Sequence, residues 1–409
     1  MSDVYLRAAS ASGEELWSTF EPIFSRIAED NVERERTRTH PHDQVRWLKD
    51  AGFGTLRIPK EDGGFGASLE QTFALLAGLA TADPNVAHIF RNHLAFVEDR
   101  LNAPRSATND IWLKRFLSGA FVGGGWTEAD NVTLANIVST VTARDDHWVV
   151  SGAKYYATGS LYADWLDVIG SDDQGELRTA LVRADDPGVE LVDDWRGFGQ
   201  RTTASGSARY REVRADDGDV FPAADRFVYQ AHFYQTAMLS VLTGITHAAL
   251  RDGTARLTAR SRNYPQGLTE IPSDDAQLLQ VIGQVSAYAF AADAALARSS
   301  RTLDDVAVAR AEGRDEHVDR LVLDAEVAVT QAQLVIIAAA LDATTEVFDA
   351  LGASGVSEEF GLDRHWRNAR TLASHNPRVY KARILGDWIV NGKSPVSNIA
   401  ALGRGGQGN

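Results

Sequence analysis

The sequence predicts an α+β protein in three successive parts: helical, then β, then helical again. Three observations predict it: a capped apolar run near residue 70 with a second amphipathic stretch behind it, a change near Phe121 to short β-rich pieces, and a return of helical periods after about Phe227.

In the first part, Ser68 and Gln71 are spaced as a capping box ahead of the apolar run Phe73 to Ala80, and Pro84 after Asp83 punctuates that helix. On a second helix Val86, Phe90, His93 and Val97 fall at i, i+4, i+7 and i+11, one apolar stripe that includes a histidine. The middle part runs through IVSTVTAR, a turn at Asp145-Asp146, then HWVVSGAKYY, WLDVIG, LRTALVR and SGSARYREV, which read as a small antiparallel β domain. In the last part Leu323, Val327, Leu334, Ile337, Leu341 and Phe348 keep nearly one helical face, and Gly352 is a natural stop. That stripe, with Ala338, Ala339 and Ala340 permitting close approach, suits a helix bundle or an oligomer interface. The domain limits expected from these changes are 1–119, 120–225 and 226–409.

With 409 residues, 44% of them hydrophobic and 24% charged, the chain can bury a sizeable core. It has no cysteine, so disulfides, thiolate chemistry and cysteine-ligated metals are excluded, and redox chemistry requires a bound cofactor. The formal net charge of -15 argues against nucleic acid as a partner. The N-terminal MSDVYLRAAS has no basic-then-apolar pattern, and the apolar run Leu334 to Leu341 is far shorter than the ~20 residues that cross a bilayer, so a cytoplasmic protein without a membrane partner is expected. Against this acidic background, Arg364 to Arg383 gathers Arg367, Arg370, Arg378, Lys381, His365 and His375 without one acid. Such a local positive field fits a bound anion, or a solvated helix face whose acids lie elsewhere in the fold.

The order helix, β, helix bundle, with GGGWTEAD (123–130), VVSGAKYYATGSLYADW (149–165), GFGQRTTASGS (197–207) and LGASG (351–355), resembles the acyl-CoA dehydrogenase superfamily. The early GFGTLRIPKEDGGFGASLEQ also resembles that family's N-terminal helical domain. The resemblance implies an acyl-CoA dehydrogenase-like fold: an N-terminal helical domain, a central antiparallel β-barrel and a C-terminal four-helix bundle. It further implies a flavin between the β domain and the bundle, touched by Trp126 and Thr127 on one side and Tyr156, Ala157 and Thr158 on the other. Hydroxyls suit a flavin's polar edge, although Thr127 and Thr158 are equally good strand residues. Trp195 resembles an aromatic near the flavin and also fits plain packing. Arg260 and Arg262 resemble residues that hold the flavin phosphate, Gly352 and Gly355 a turn that approaches a neighbouring subunit's cofactor, and Arg367 with the basic stretch would meet the same anion.

The departures carry information. A dehydrogenase of this family needs a carboxylate base, and its usual place falls here on His375-Asn376-Pro377. The alternative place, on the first helix of the last domain, falls on Tyr234. The turn expected after the Thr-Glu-Pro segment is changed to DNVTL, which puts a CoA site in doubt. With FGLDRHWRNARTLASHNPRVYKARILGDWIVNG and AHIFRNHLAF, the chain looks most like the flavin-dependent monooxygenases of the dibenzothiophene monooxygenase type. These take reduced flavin (FADH2 or FMNH2) from a separate NAD(P)H:flavin reductase and transfer one atom of O2 through a flavin hydroperoxide.

On that resemblance His375 stands near the reactive ring edge, where an imidazole titrating near 6.5 would serve, with Thr158 as a donor and His93 as a second polar handle or a core histidine. Phe90, Phe96, Trp126 and Tyr156 suggest a flat aromatic substrate such as an indole or fused thiophene. A homotetramer is expected and no metal. The competing readings are an acyl-CoA dehydrogenase with a displaced base, an amino-sugar N-oxygenase, and a non-catalytic bundle protein.

Overall fold

The computed structural model describes residues 13–128 and 137–395. The first part is helical: α1 (Glu14–Ala28), α2 (Asn31–Thr37), α3 (His42–Asp50), α4 (Leu69–Ala82), α5 (Pro84–Asn102) and α6 (Ala107–Leu117). The capping box forms as its spacing predicts, since Gln71 N donates to Ser68 Oγ at 3.1 Å and Ser68 N to Gln71 Oε1 at 2.9 Å. Asp83 caps α5 by accepting from Asn85 N at 2.9 Å, and Arg34 holds that carboxylate from α2 at 3.0 Å. Val86, Phe90, His93 and Val97 are all buried, so the predicted stripe is the core face of α5.

The sheet runs in the order β6 (Val189–Val192), β7 (Ser207–Ala215), β3 (Trp148–Lys154), β2 (Thr140–Ala143), β4 (Trp165–Ser171), β5 (Leu177–Arg183), β8 (Val220–Pro222), with β1 (Val122–Gly125) on β4. It is a curled mixed sheet rather than the purely antiparallel one expected: β1 runs parallel to β4, as does β2 at its single pair, Thr140 with Ser171. Sequence pattern missed β1 because VGGG has almost no side chains to alternate. Its glycines have a physical reason, since a Cβ on Gly124 would lie 2.2 Å from Asn92 Nδ2 on α5. The β2–β3 hairpin turns through Asp145-Asp146 as predicted.

Three long helices, α7 (Gln230–Ala259), α8 (Ala276–Ala311) and α9 (Asp315–Glu346), pack with the short α10 (Asp363–Ala373), and α11 (Arg378–Asn391) lies along α9. The core-facing residues of α9 are mainly small: Ala325, Ala328, Val329, Ala332, Ala339, Ala340 and Ala343 are buried with Ile336 and Ile337. The predicted stripe is therefore displaced, and Leu323, Val327, Leu334 and Leu341 are only half-buried. The segment Asp315–Ala350 is long and apolar enough to cross a membrane by length and composition, but half of its most apolar window is buried inside this fold, as a bundle-core helix requires. One apolar core, including the fully buried Phe20, Phe53, Phe73, Phe90 and Phe233, joins the N-terminal helices to α7, α8 and α9.

Candidate active site

The helix α5, the turn after β3, the loop before β7, the start of α7 and the turn between α10 and α11 converge on one region. Asn92 Nδ2 donates to the Thr158 carbonyl at 3.0 Å, which pins the Tyr156–Thr158 turn to α5. Tyr156 has φ 56°, uncommon for a residue with a Cβ, and its ring is half exposed, edge-on to Trp195 with centroids 5.8 Å apart. Ala157 is buried beneath it, and Thr127 bridges to Tyr155 through the backbone, with Tyr155 N donating to Thr127 O at 2.8 Å.

A chain of hydroxyls leads inward. Thr203 Oγ1 donates to Gln200 O at 2.9 Å, Ser205 Oγ lies 2.7 Å from Thr203 Oγ1, and Thr158 Oγ1 lies 2.8 Å from Ser205 Oγ. Each hydroxyl has one proton, so the run orders itself from Thr158 to Ser205 to Thr203. Thr158 was expected as a donor toward the flavin. Its hydroxyl lies 2.8 Å from Ser205 Oγ and 3.5 Å from Tyr156 O, two partners within this chain.

Gln200 also accepts from His88 Nδ1 at 3.0 Å, and the second ring nitrogen of this buried histidine has no partner. Burial first, then the Arg91 guanidinium, holds His88 well below the ordinary histidine range. His375 sits in the turn after α10, braced by Asn376, whose Nδ2 donates to Gln235 at 2.7 Å and whose carbonyl accepts from Gln333 at 2.9 Å. The imidazole keeps surface open to solvent, yet the protein around it and the Arg91 guanidinium push it down to about 3. It is therefore neutral at physiological pH, where the sequence suggested an imidazole titrating near 6.5.

Between these histidines and α7, the Arg91 guanidinium lies 5.3 Å from the Tyr234 ring centroid, and Tyr234 lies 6.4 Å from Trp126. Trp126 Nε1 donates to Asp167 at 3.1 Å; Asp167 and Asp99 are both bound by Arg226, at 2.6 and 3.0 Å. The two places that the resemblance assigns to a dehydrogenase base, His375-Asn376-Pro377 and Tyr234, have no carboxylate of their own.

The other predicted residues lie apart from this cluster. His93 packs in the core, with Nε2 donating to Gly54 O at 3.1 Å, Nδ1 accepting from Val122 N at 3.3 Å, and its ring stacked on Phe121 at 4.7 Å. Both nitrogens are occupied and burial pushes it down to about 4, so it ties α5 to β1 and is left out of the catalytic set proposed below. Arg367 is held by Glu35 at 2.9 Å and Asp363 at 2.8 Å. Arg364 and His365 meet Asp252 at 2.5 and 2.9 Å, and Lys381 lies 3.6 Å from Glu326. The cation run thus finds much of its counter-charge in the fold, the plainer of the two readings of that stretch. Arg260 donates to Ala350 O at 2.9 Å and lies over Tyr264, whose hydroxyl accepts from Ala353 N at 3.2 Å. Gly352, with φ 61°, is required there because its Cβ would meet the Tyr264 ring at 2.8 Å; Gly355 is buried nearby and Arg262 is exposed. This cluster follows the far end of α7 from Tyr234, and 26 residues of helix separate Tyr234 from Arg260, roughly 39 Å at 1.5 Å per residue.

Sequence reasoning missed His88, Arg91, Asn92, Gln200 and Ser205. A signal was present, since His88, Arg91 and Asn92 are polar residues at i, i+3 and i+4 on a helix that is otherwise nearly all buried. The motif residues Glu128 and Lys154 prove to be partners, 2.6 Å apart. The changed DNVTL segment (130–134) lies outside the described residues.

Models of the acyl-CoA dehydrogenase N-terminal domain and C-terminal domain match residues 19–120 and 237–378, together more than half of the chain. The chain is 26% identical to a dibenzothiophene monooxygenase of Rhodococcus qingshengii, over 89% of this chain and 90% of that one. It is 28% identical to a probable FMNH2-dependent monooxygenase, SfnC, of Pseudomonas putida, over 91% and 94%. Its fold superposes on FMN-bound TdsC of Paenibacillus sp. A11-2 with a TM-score of 0.84 at 24% identity, over 94% and 99% of the two chains. TdsC has also been solved with FMN and indole together. The chain belongs to the acyl-CoA dehydrogenase superfamily, within its flavin-dependent monooxygenase branch.

Proposed function

We propose that this protein is the oxygenase component of a two-component system, which receives reduced flavin, FMNH2 or FADH2, from a separate NAD(P)H:flavin reductase and uses O2 to oxygenate a small aromatic or heteroaromatic molecule. The observation that carries the reading is the absence of a carboxylate at both positions where this fold keeps a base. His375 and Tyr234 stand there: a neutral phenol is no base, and an imidazole pushed down to about 3 is a weaker one than the carboxylate that a dehydrogenase uses.

The residues fit a flavin. The exposed Tyr156 ring with Trp195 beside it offers a flat aromatic wall, and the orphaned nitrogen of His88 is a buried polar atom awaiting a partner. Trp126, Thr127, Ala157 and Thr158 would complete the wall on the β side. The Arg260, Arg262, Gly352 and Gly355 cluster is too far along α7 to serve the same flavin ring within one chain, so it would serve a neighbour's flavin in a homotetramer. When bound, reduced flavin would supply the two electrons that activate O2, one atom of which goes to the substrate and the other to water.

The protein's own part is positional. His375 offers a neutral ring N–H to an oxygen that gains negative charge, and the His88 lone pair accepts a hydrogen on the opposite partner. Tyr156 and Trp195 exclude water from the ring face. The test is turnover with a flavin reductase, NADH and FMN under labelled oxygen, with benzothiophene and indole as probes. One labelled atom per product molecule is expected; reduction of flavin by an acyl-CoA without oxygen would replace this reading with a dehydrogenase.

A further inference from the structure

Among the described residues, the buried arginines and the half-buried Arg57 are answered by a carboxylate. Arg34 meets Asp83, Arg57 meets Glu98, Arg226 meets Asp99 and Asp167, and Arg364 meets Asp252. Arg91 breaks the pattern. Its Nη1 donates to the Met238 sulfur at 3.1 Å, a weak acceptor, and its buried Nε has no partner. The Tyr234 ring lies 5.3 Å from its guanidinium. Nearby Asp99 and Asp167 cannot answer it, because Arg100, Arg226 and the Trp126 indole already hold them. The histidines that face it, His88 and His375, are themselves held neutral. Among the described residues no carboxylate faces Arg91, and burial lowers its affinity for its proton.

Arg91 is half-buried, and a partly desolvated cation answered only by a thioether and an aromatic ring is costly to hold. An anion from outside relieves that cost. A guanidinium presents two parallel N–H donors to an oxyanion, and the Tyr234 ring lies beside this one with Trp126 6.4 Å from that ring.

We propose that Arg91 holds an acidic group of the substrate, so that the molecule oxygenated is an aromatic or heteroaromatic acid whose carboxylate or sulfinate lies against this guanidinium. The inference rests on the monooxygenase reading and narrows its substrate class.

The test pairs two probes, benzothiophene and benzothiophene-2-carboxylate, and reads both equilibrium binding, by tryptophan fluorescence of the flavin-free protein, and kcat/KM with reductase, NADH and FMN. The wild-type protein should prefer the acid. Arg91→Gln should weaken binding of the acid about 10- to 100-fold, the range of a hydrogen bond to a charged group, and should lower the ratio of acid to neutral-probe kcat/KM by the same factor, whatever the change in His375 does to both rates. Arg91→Lys should keep part of the preference. A wild-type preference for the neutral probe, or an equal loss for both probes, overturns the inference. So does a loss confined to FMNH2 affinity, which would make reduced flavin the anion that Arg91 meets. Arg91-dependent binding of the acid without oxygen incorporation leaves the anion site standing and overturns the monooxygenase reading; oxygenation of the neutral probe alone does the reverse.

Discussion

His88 Nδ1 lies 3.0 Å from Gln200 Oε1, across 112 residues of chain, and this one bond fixes which nitrogen of the histidine carries the proton. Gln200 also donates from Nε2 to Asn368 Oδ1 at 3.3 Å, so its oxygen is the atom turned toward His88. His88 must therefore donate from Nδ1, and Nε2 presents a lone pair.

Replacing Gln200 by Leu releases that tautomer without touching the flavin wall. We expect coupled turnover, product formed per NADH consumed, to fall about 10-fold, below the ~100-fold typical of removing an acid–base group itself. Unchanged coupling would reduce the His88–Gln200 bond to a packing contact.

His375→Ala should leave the fold intact and cut coupled turnover by at least ~100-fold, with the oxygen leaving as hydrogen peroxide. Because His375 is pushed down to about 3, its neutral form prevails from pH 6 to 8, and the wild-type coupling ratio should be flat over that range. A titration of coupling near pH 6.5 that disappears in the variant would show that His375 works as an imidazolium.

Acid should destabilise the protein in a defined window. Burial, only partly offset by the hydrogen bond to Gly54, takes His93 from the ordinary 6.5 to about 4. A folded-state value below the unfolded one gives stability that is present above pH 6.5 and lost as pH falls toward 4. The contribution at pH 7 is up to about 3 kcal/mol for this one imidazole. Urea midpoints measured at pH 7.5, 6, 5 and 4.5 should fall steadily; a midpoint that holds or rises toward pH 5 contradicts the burial of a neutral His93.

Assembly should be needed for tight flavin binding. The half-buried Leu323, Leu334 and Leu341 on α9, and Ile389 and Val390 on α11 at 72% and 79% exposure, leave apolar surface for other subunits. Light scattering should give a tetramer at micromolar concentration. Arg260→Ala should weaken reduced-FMN binding several-fold without altering the Arg91 preference. A monomer with full flavin affinity would remove the Arg260 cluster from the site.

Gly124→Ala probes the contact between sheet and helix. The added methyl would lie 2.2 Å from Asn92 Nδ2, so the bond from Asn92 to the Thr158 carbonyl must yield. Overpacking of this kind typically costs ~1–3 kcal/mol, read as a lower urea midpoint. An unchanged midpoint would mean that β1 can shift away from α5.

Much of this molecule was set by short-range chemistry that any reader of the chain can follow. Ser68 and Gln71 cap α4 because their spacing closes two hydrogen bonds, and Asp145-Asp146 turns the β2–β3 hairpin. The missing base is also legible in the sequence, since asparagine, histidine and tyrosine are not carboxylates in any fold. The tertiary structure decided what depends on phase and on distant partners. His88 and His93 sit five residues apart on α5, about 140° around the helix, and only packing against Gln200 on one side and Gly54 on the other settles which has a free nitrogen. The cations of 364–383 carry no acid in their own stretch, but Asp252, Glu35 and Glu326 reach them from α7, α2 and α9. Arg91 reads in the sequence as one more charge on an acidic protein, and it becomes the unanswered cation of the site because no described chain segment folds a carboxylate back onto it.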